Sequence, residues 1–410
     1  MPLTLTFAVV LLAAVLVSAV ANRTMLSTAV VFLVAGFLVG DGVLGWVSLT
    51  PQDDVVRLGA ELALFAVLFS DGMQLGWKDL RRAWRLPGRA LVLGLPLTLV
   101  VTALLAHYVA GLGWAESWLI GAVLAPTDPV FASALVGNDK VPGRLRQLLN
   151  VESGINDGLA LPFVLVFLAI AERSGEIHAG ELALEIVLGV VIGVAVPLLA
   201  IWLESLPILS TSARYAPLNG FAIGLLVYAV TVAVHGNLFL AAFAAGITVA
   251  TAGPDQRESF EHFGESIAEL LKLFALLVFG ALMSPAFLGE IPWTGWAFAV
   301  LAIVLARPLA LLPSFAGTPL SLREQAAAMW FGPKGFASVV YGLIVLGSPL
   351  AAADEIFHLV ALTIVISILA HSSTDVIVAR AFDEPSETPH WHAEGGEVQA
   401  AGRSSGETAE

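Results

Sequence analysis

The sequence predicts an all-α polytopic membrane protein of about thirteen transmembrane helices. Three observations carry that expectation. The 410 residues are 58% hydrophobic and 13% charged, whereas soluble domains run roughly 45–50% apolar and about 25% charged. Mean hydropathy is +0.88. Apolar windows of about 20 residues, the length that crosses a bilayer core, recur along nearly the whole chain.

Those windows fall at roughly 3–21, 25–45, 56–76, 90–112, 116–137, 147–171, 182–203, 217–234, 237–252, 267–288, 294–314, 325–348 and 356–378. The first has no basic stretch ahead of it, so it is expected to be a spanning helix rather than a cleaved signal. Only Gly236-Asn237 separates the eighth from the ninth. The stretch from Asp255 to Leu271 mixes charges with Phe260, Phe263 and Ile267, and reads as an amphipathic helix leading into the tenth span. After Ala381 the chain turns acidic and rich in Gly, Ser and Thr, so 382–410 is expected to be a disordered cytoplasmic tail.

Basic residues orient the helices. Lys78, Arg81, Arg82, Arg85 and Arg89 follow the third window, and Lys140, Arg144 and Arg146 the fifth. Arg214, Arg257, Arg323 and Arg380 fall on the same side. That pattern predicts an outside N-terminus and a cytoplasmic C-terminus in the cell (inner) membrane. The opposite loops, 111–116 and 349–355, lack basic residues.

Several chemistries are excluded. No cysteine is present, so disulfides and thiolate metal sites are absent. No G-x-x-x-x-G-K-[ST] loop, His-Glu-x-x-His helix or Gly-x-Ser-x-Gly elbow occurs. The net charge of −14 lies largely in the tail and loops, and says little about partners.

Two charged islands interrupt the apolar runs: Thr127-Asp128-Pro129 and Glu152-Ser153-Gly154-Ile155-Asn156-Asp157. Ionisable groups at membrane depth are costly and mark ion paths, proton relays or counter-ions. Pro129 predicts broken backbone beside Asp128, which a membrane tolerates only inside protein or along a water-filled cavity. Freed carbonyls near Thr127 offer cation ligands, and Asp128 can balance helix-end charge. In the second island, helical spacing puts Ser153 and Asp157 on one face, with Glu152 and Asn156 on a neighbouring one. One carboxylate among neutral oxygens suits a monovalent cation better than a divalent one. The same carboxylate can take a proton instead, so proton and cation compete for one site at Asp157. Read structurally, both islands would be capped helix ends.

Lys334, in Phe331-Gly332-Pro333-Lys334-Gly335, needs a partner if it is buried. Glu152 is the expected one and Asp128 the second choice; a lysine snorkelling from a helix end is the plainer reading. Arg307-Pro308 sits mid-window and calls for a carboxylate, as a structural ion pair. Asp71 and His371 are accessory candidates, Asp71 near the cytoplasmic end of the third window and His371 as an interior histidine. One internal echo stands out: Phe131-Ala132-Ser133-Ala134-Leu135-Val136-Gly137 against Phe336-Ala337-Ser338-Val339-Val340-Tyr341-Gly342. Each follows a proline beside a charge. Broken segments in corresponding, oppositely oriented positions point to a transporter site.

With Thr127-Asp128-Pro129 followed by Glu152-Ser153 and Asn156-Asp157, the chain resembles the NhaP-type sodium/proton antiporters of the monovalent cation:proton antiporter-1 family. The resemblance extends from Pro2 to about Ala381. It implies thirteen helices in two inverted six-helix repeats, crossed broken helices in a mobile core, and a homodimer. By resemblance, Asp157 is the ion- and proton-binding carboxylate. Ser153 and the Thr127 backbone assist it, Asn156 and Asp128 stabilise the crossing, and Glu152 pairs with a cation on the twelfth helix. One departure is Lys334, where the family usually has arginine.

The expectation is therefore a membrane antiporter, not an enzyme, that exchanges protons for Na⁺ or K⁺, electroneutrally, with no cofactor. The core is expected around 56–171 and 267–378. A cation-coupled solute symporter on a similar fold is the alternative, and an intramembrane aspartyl hydrolase using Asp128 and Asp157 a more remote one.

Overall fold

A computed structural model describes residues 3–21, 28–74, 86–128, 135, 137–172, 179–206, 208, 212 and 215–382. Every regular element among them is helical. In chain order they are α1 (Leu3–Ala21), α2 (Thr28–Val39), α3 (Asp54–Gln74), α4 (Leu86–Ala110), α5 (Trp114–Val123), α6 (Gly143–Glu172), α7 (Ala179–Glu204), α8 (Ala216–Ala233), α9 (Leu238–Ala252) and α10 (Pro254–Ala281). There follow α11 (Pro285–Glu290), α12 (Trp293–Phe315), α13 (Leu322–Trp330), α14 (Phe336–Leu346) and α15 (Ala353–Arg380). Six of these helices are long and apolar enough to cross a bilayer: α4, α6, most of α7, α8, α12 and α15.

The sequence windows locate the helices but not their interruptions. Within the 116–137 window the helix that starts at Trp114 ends at Val123, and Leu124 to Asp128 leave it. Most of the Phe131–Gly137 copy of the internal echo, like Lys78, Arg81, Arg82, Arg85, Arg214 and the tail from Asp383, lies outside the described residues. The 325–348 window is two helices, α13 and α14, joined by non-helical Phe331–Gly335. Pro333 explains that break: it lacks an amide proton and disfavours helix at the residue before it. The second charged island, by contrast, lies within the unbroken α6. The amphipathic stretch and the tenth window form one continuous helix, α10.

Packing sorts the helices into two sets. In one, α2, α3, α8 and α9 gather around α10 and each other, and α7 joins through α9. Small residues make this possible, as in other membrane helix pairs. A Cβ on Gly36, Gly40 or Gly280 would strike the backbone of the facing helix where α2 meets α10. Gly72 and Gly246 play the same part where α3 meets α9. The second set is α4, α5, α6, α12, α13, α14 and α15. Within it α4 and α12 lie side by side, and each holds a π-helical turn, Ala90–Gly94 and Ala302–Ala306. Both turns run into a residue followed by proline, Leu95-Pro96 and Arg307-Pro308. A proline cannot donate to the carbonyl four residues back and its ring crowds that carbonyl, so the widened turn relieves the conflict.

The α2–α10 interlock gives a direct check. Gly280→Val places a branched side chain against the Leu33 carbonyl, and overpacking of this kind costs about 1–3 kcal/mol. The detergent-solubilised variant should melt clearly below the parent in a thermal-shift assay. An unchanged melting temperature would mean that this contact is loose.

Candidate ion-binding site

The two helix breaks lie against each other, and each satisfies the backbone groups the other leaves free. Asp128 N–H donates to Pro333 O at 2.9 Å. The Asp128 carboxylate accepts the Phe336 amide at 3.1 Å, at the start of α14. An anion belongs there, since the first amides of a helix lack partners and carry partial positive charge. Ser338 Oγ closes the other half by donating to Val123 O, the last residue of α5, at 2.7 Å. The approach is so close that a Cβ at Gly335 would collide with the Asp128 side chain.

The α13 side of the crossing is held by two further groups. Arg307 Nε donates to Ala328 O at 3.0 Å. His371 Nε2 donates to Trp330 O at 2.8 Å, and Ser367 Oγ, beside the same ring, accepts the Lys334 amide at 2.8 Å. His371 is thus an interior histidine whose ring is engaged by the break.

Glu152 pairs with Arg307, not with Lys334 as expected from the sequence. The guanidinium grips the carboxylate with two bonds, Nη1 to Oε1 at 2.7 Å and Nη2 to Oε2 at 2.9 Å. Both residues are about 5% exposed. The fork geometry of arginine explains the preference, because it matches both carboxylate oxygens at once and leaves Nε for a carbonyl. The Lys334 ammonium is buried and has no hydrogen-bond partner among the described residues. A second fork, Arg144 to Glu324, also joins α6 to α13, with both bonds at 2.6 Å. Glu324 completes a capping box with Ser321 at the start of α13.

One helical turn from Glu152, α6 presents the remaining polar groups to the α5 break. Asn156 Nδ2 donates to Thr127 Oγ1 at 2.8 Å, and Thr127 Oγ1 lies 3.2 Å from Ser153 Oγ. Tyr341 Oη donates to the backbone carbonyl of Asp157 at 2.7 Å. Asn156 Oδ1 and Asp157 Oδ1 are buried with no hydrogen-bond partner among the described residues. Buried polar atoms are nearly always satisfied, so two unsatisfied oxygens on adjacent residues are the exception here. Asp157 is 8% exposed.

Two charges from the other helix set complete the surroundings. Asp71, half-buried on α3, acts electrostatically on Asp157. Lys272, on α10, acts on Asp71, Asp128 and Asp157 together. The sequence pointed to Asp71 but missed Lys272. The available signal was a lone cation in Leu270-Leu271-Lys272-Leu273-Phe274, masked by Glu269 three residues earlier, which reads as an ordinary helix-surface pair.

A profile for the family described as sodium/hydrogen exchanger, transmembrane, matches residues 9–380. The chain belongs to the sodium/hydrogen exchanger family. Among curated relatives, it is 27% identical over 345 residues to the K(+)/H(+) antiporter NhaP of Alkalimonas amylolytica, a match covering 83% of this chain and 59% of the relative. It is 26% identical over 375 residues to the K(+)/H(+) antiporter NhaP2 of Shewanella sp. (strain MR-4), covering 89% and 64%. The chain therefore spans about six tenths of the length of these relatives. The fold is that of the sodium proton antiporter MjNhaP1 from Methanocaldococcus jannaschii at pH 8, with a TM-score of 0.75 at 19% identity, covering 93% of this chain and 99% of that one.

The ion-pair geometry yields a ranked expectation. Arg307→Ala strands the Glu152 carboxylate and should cost about 3–5 kcal/mol. Arg307→Met with Glu152→Gln should recover part of that loss. Lys334→Met removes a charge that has no hydrogen-bond partner and should cost much less than Arg307→Ala. Thermal-shift melting of the four purified proteins checks the order; a Lys334 variant that melts lowest would restore Lys334 as the partner of Glu152.

Proposed function

We propose that this chain is a secondary antiporter that exchanges protons for a monovalent cation, Na⁺ or K⁺, across a membrane. The observation that carries the reading is the pair of unsatisfied oxygens, Asn156 Oδ1 and Asp157 Oδ1, beside two mutually capped helix breaks. A single carboxylate there binds either a proton or a monovalent cation, which makes the two compete. Membership of the sodium/hydrogen exchanger family supports the same reading. The protein is not an enzyme on this view, and it needs no cofactor; Na⁺ or K⁺ and H⁺ are its substrates.

The geometry supports the following roles. Asp157 is the binding carboxylate. Asn156 and Ser153 orient Thr127 beside it. Asp128 holds the crossing. Glu152 and Arg307 form the structural ion pair, and His371 secures the α13 end of the second break. Asp71 is an accessory acid on the opposing helix set.

The two sets of packed helices suggest the moving parts. We place α4–α6 and α12–α15 in the core, and the set around α10 in the scaffold. This is narrower than the sequence boundaries of 56–171 and 267–378, because α3 and α10 interlock with scaffold helices through glycine contacts. Rocking of one set against the other around a fixed site gives alternating access. The matching π turns of α4 and α12, each leading into an X-Pro pair, support two inverted repeats. Thirteen spans, a homodimer formed through the scaffold, an inner-membrane location and a cytoplasmic C-terminus complete the proposal.

Transport in proteoliposomes tests it. Adding Na⁺ or K⁺ should dequench an interior pH dye, and Asp157→Asn should abolish the response while the protein still purifies as a folded species. Retained flux in Asp157→Asn would move the site elsewhere. Asn156 stands where a second titrating carboxylate would make exchange electrogenic, so one cation should move per proton. An imposed diffusion potential should then leave the exchange rate unchanged, and a clear voltage response would show that a second group, Lys334 first, carries a proton.

A further inference from the structure

Lys272 stands on the helix set that does not contain the crossed breaks, yet it points at them. Its side chain is 17% exposed. Its ammonium lies 5.8 Å from the centre of the Phe336 ring, and the amide of that same residue donates to Asp128 Oδ2. Glu269, on its own helix, is 3.5 Å away, longer than the 2.7–2.9 Å typical of charge-assisted bonds. The other charges acting on Lys272 are Asp128 on the α5 break, Asp71 on α3 and Asp157 on α6. Tyr341, from α14, meets the backbone of Asp157. One cation on one helix set thus acts on two carboxylates of the other, Asp128 and Asp157, with Asp71 on its own set.

We propose that Lys272 is a charge latch that keeps the empty site from crossing the membrane. The proposal rests on the antiporter reading above. An exchanger must move when its site holds a proton or a cation, and must stay when it holds neither. Asp128 attracts Lys272 in every state, because the Phe336 amide fixes it in place. Asp157 supplies the part that changes. When it is empty its negative charge faces the ammonium across the boundary between the sets, and partly buried charges are screened only weakly. A proton or a monovalent cation neutralises Asp157 and removes that increment of attraction. The loaded core is then freer to move than the empty one. Without Lys272 the empty core would return on its own, and the protein would leak cations down a voltage.

The test uses the full chain in proteoliposomes with equal alkaline pH on both sides. An inward thiocyanate gradient makes the interior negative, and uptake of radiolabelled Na⁺ or Rb⁺ is measured without any proton gradient. Lys272→Gln should raise this uptake about tenfold, the rate change for about 1.4 kcal/mol of barrier. Lys272→Arg keeps the charge and should match the parent. Glu269→Gln removes a competing anion, so it should slow exchange without raising the leak. A Lys272→Gln protein that exchanges normally and leaks no more than the parent would overturn the latch. So would equal leaks in the Gln and Arg variants. If Lys272→Gln fails to insert, Glu269→Gln decides alone, and faster exchange or a larger leak there would sink the idea. A parent protein with no Na⁺- or K⁺-dependent proton flux would instead refute the antiporter reading, which separates the two failures.

Discussion

Two chain segments leave helical geometry side by side, and neither break could persist alone in a membrane. Inside a bilayer, free amides and carbonyls have no water to bond. Here Pro333 O takes the Asp128 amide, the Asp128 carboxylate takes the Phe336 amide, and Ser338 closes the Val123 carbonyl. Asp128 therefore does two jobs at once, through its backbone and through its side chain. The other parts of the site hang on that exchange. Thr127 is next to Asp128 and is held toward α6 by Asn156. Gly335 is small because Asp128 occupies the space a side chain would need.

Around the crossing, charge is distributed with a clear division of labour. Arg307 and Glu152 neutralise each other through a bidentate contact and also reach the Ala328 carbonyl. This fixes α6, α12 and α13 as one body, and Arg144 with Glu324 adds a second α6–α13 link at the start of α6. What remains is a set of charges with weaker ties: Asp157, Asp71, Lys334 and Lys272. Structural charges are locked in forks, whereas Asp157, Asp71 and Lys272 act on one another without a fork and Lys334 stands near the Glu152–Arg307 pair. Lys334 is the least explained of them, since its ammonium is buried without a hydrogen bond while its backbone is held by Ser367.

The contrast between the helix sets follows from residue size. Where α2 meets α10 and α3 meets α9, glycine brings backbones into contact, and the helices of that set are tied along their lengths. Across the boundary between sets, contacts are sparser. A tight body against a looser seam is the arrangement that the proposed rocking motion calls for.

Much of this was written in the sequence because it follows from local rules. Apolar length fixed the membrane class and the helix positions, and proline beside charge marked both breaks. Helical spacing put Ser153, Asn156 and Asp157 where they could share a site. Partner choice was a different matter. From the sequence, Lys334 and Arg307 were both cations in apolar surroundings, and Lys334 looked closer to the chemistry. Only the fold decided that Arg307, 155 residues from Glu152, approaches with the geometry to hold both its oxygens. Lys272 was hidden for a related reason: a helical lysine three residues after a glutamate has a sufficient local explanation. Local pattern determines which groups must be satisfied; distance in space, which no spacing encodes, determines what satisfies them.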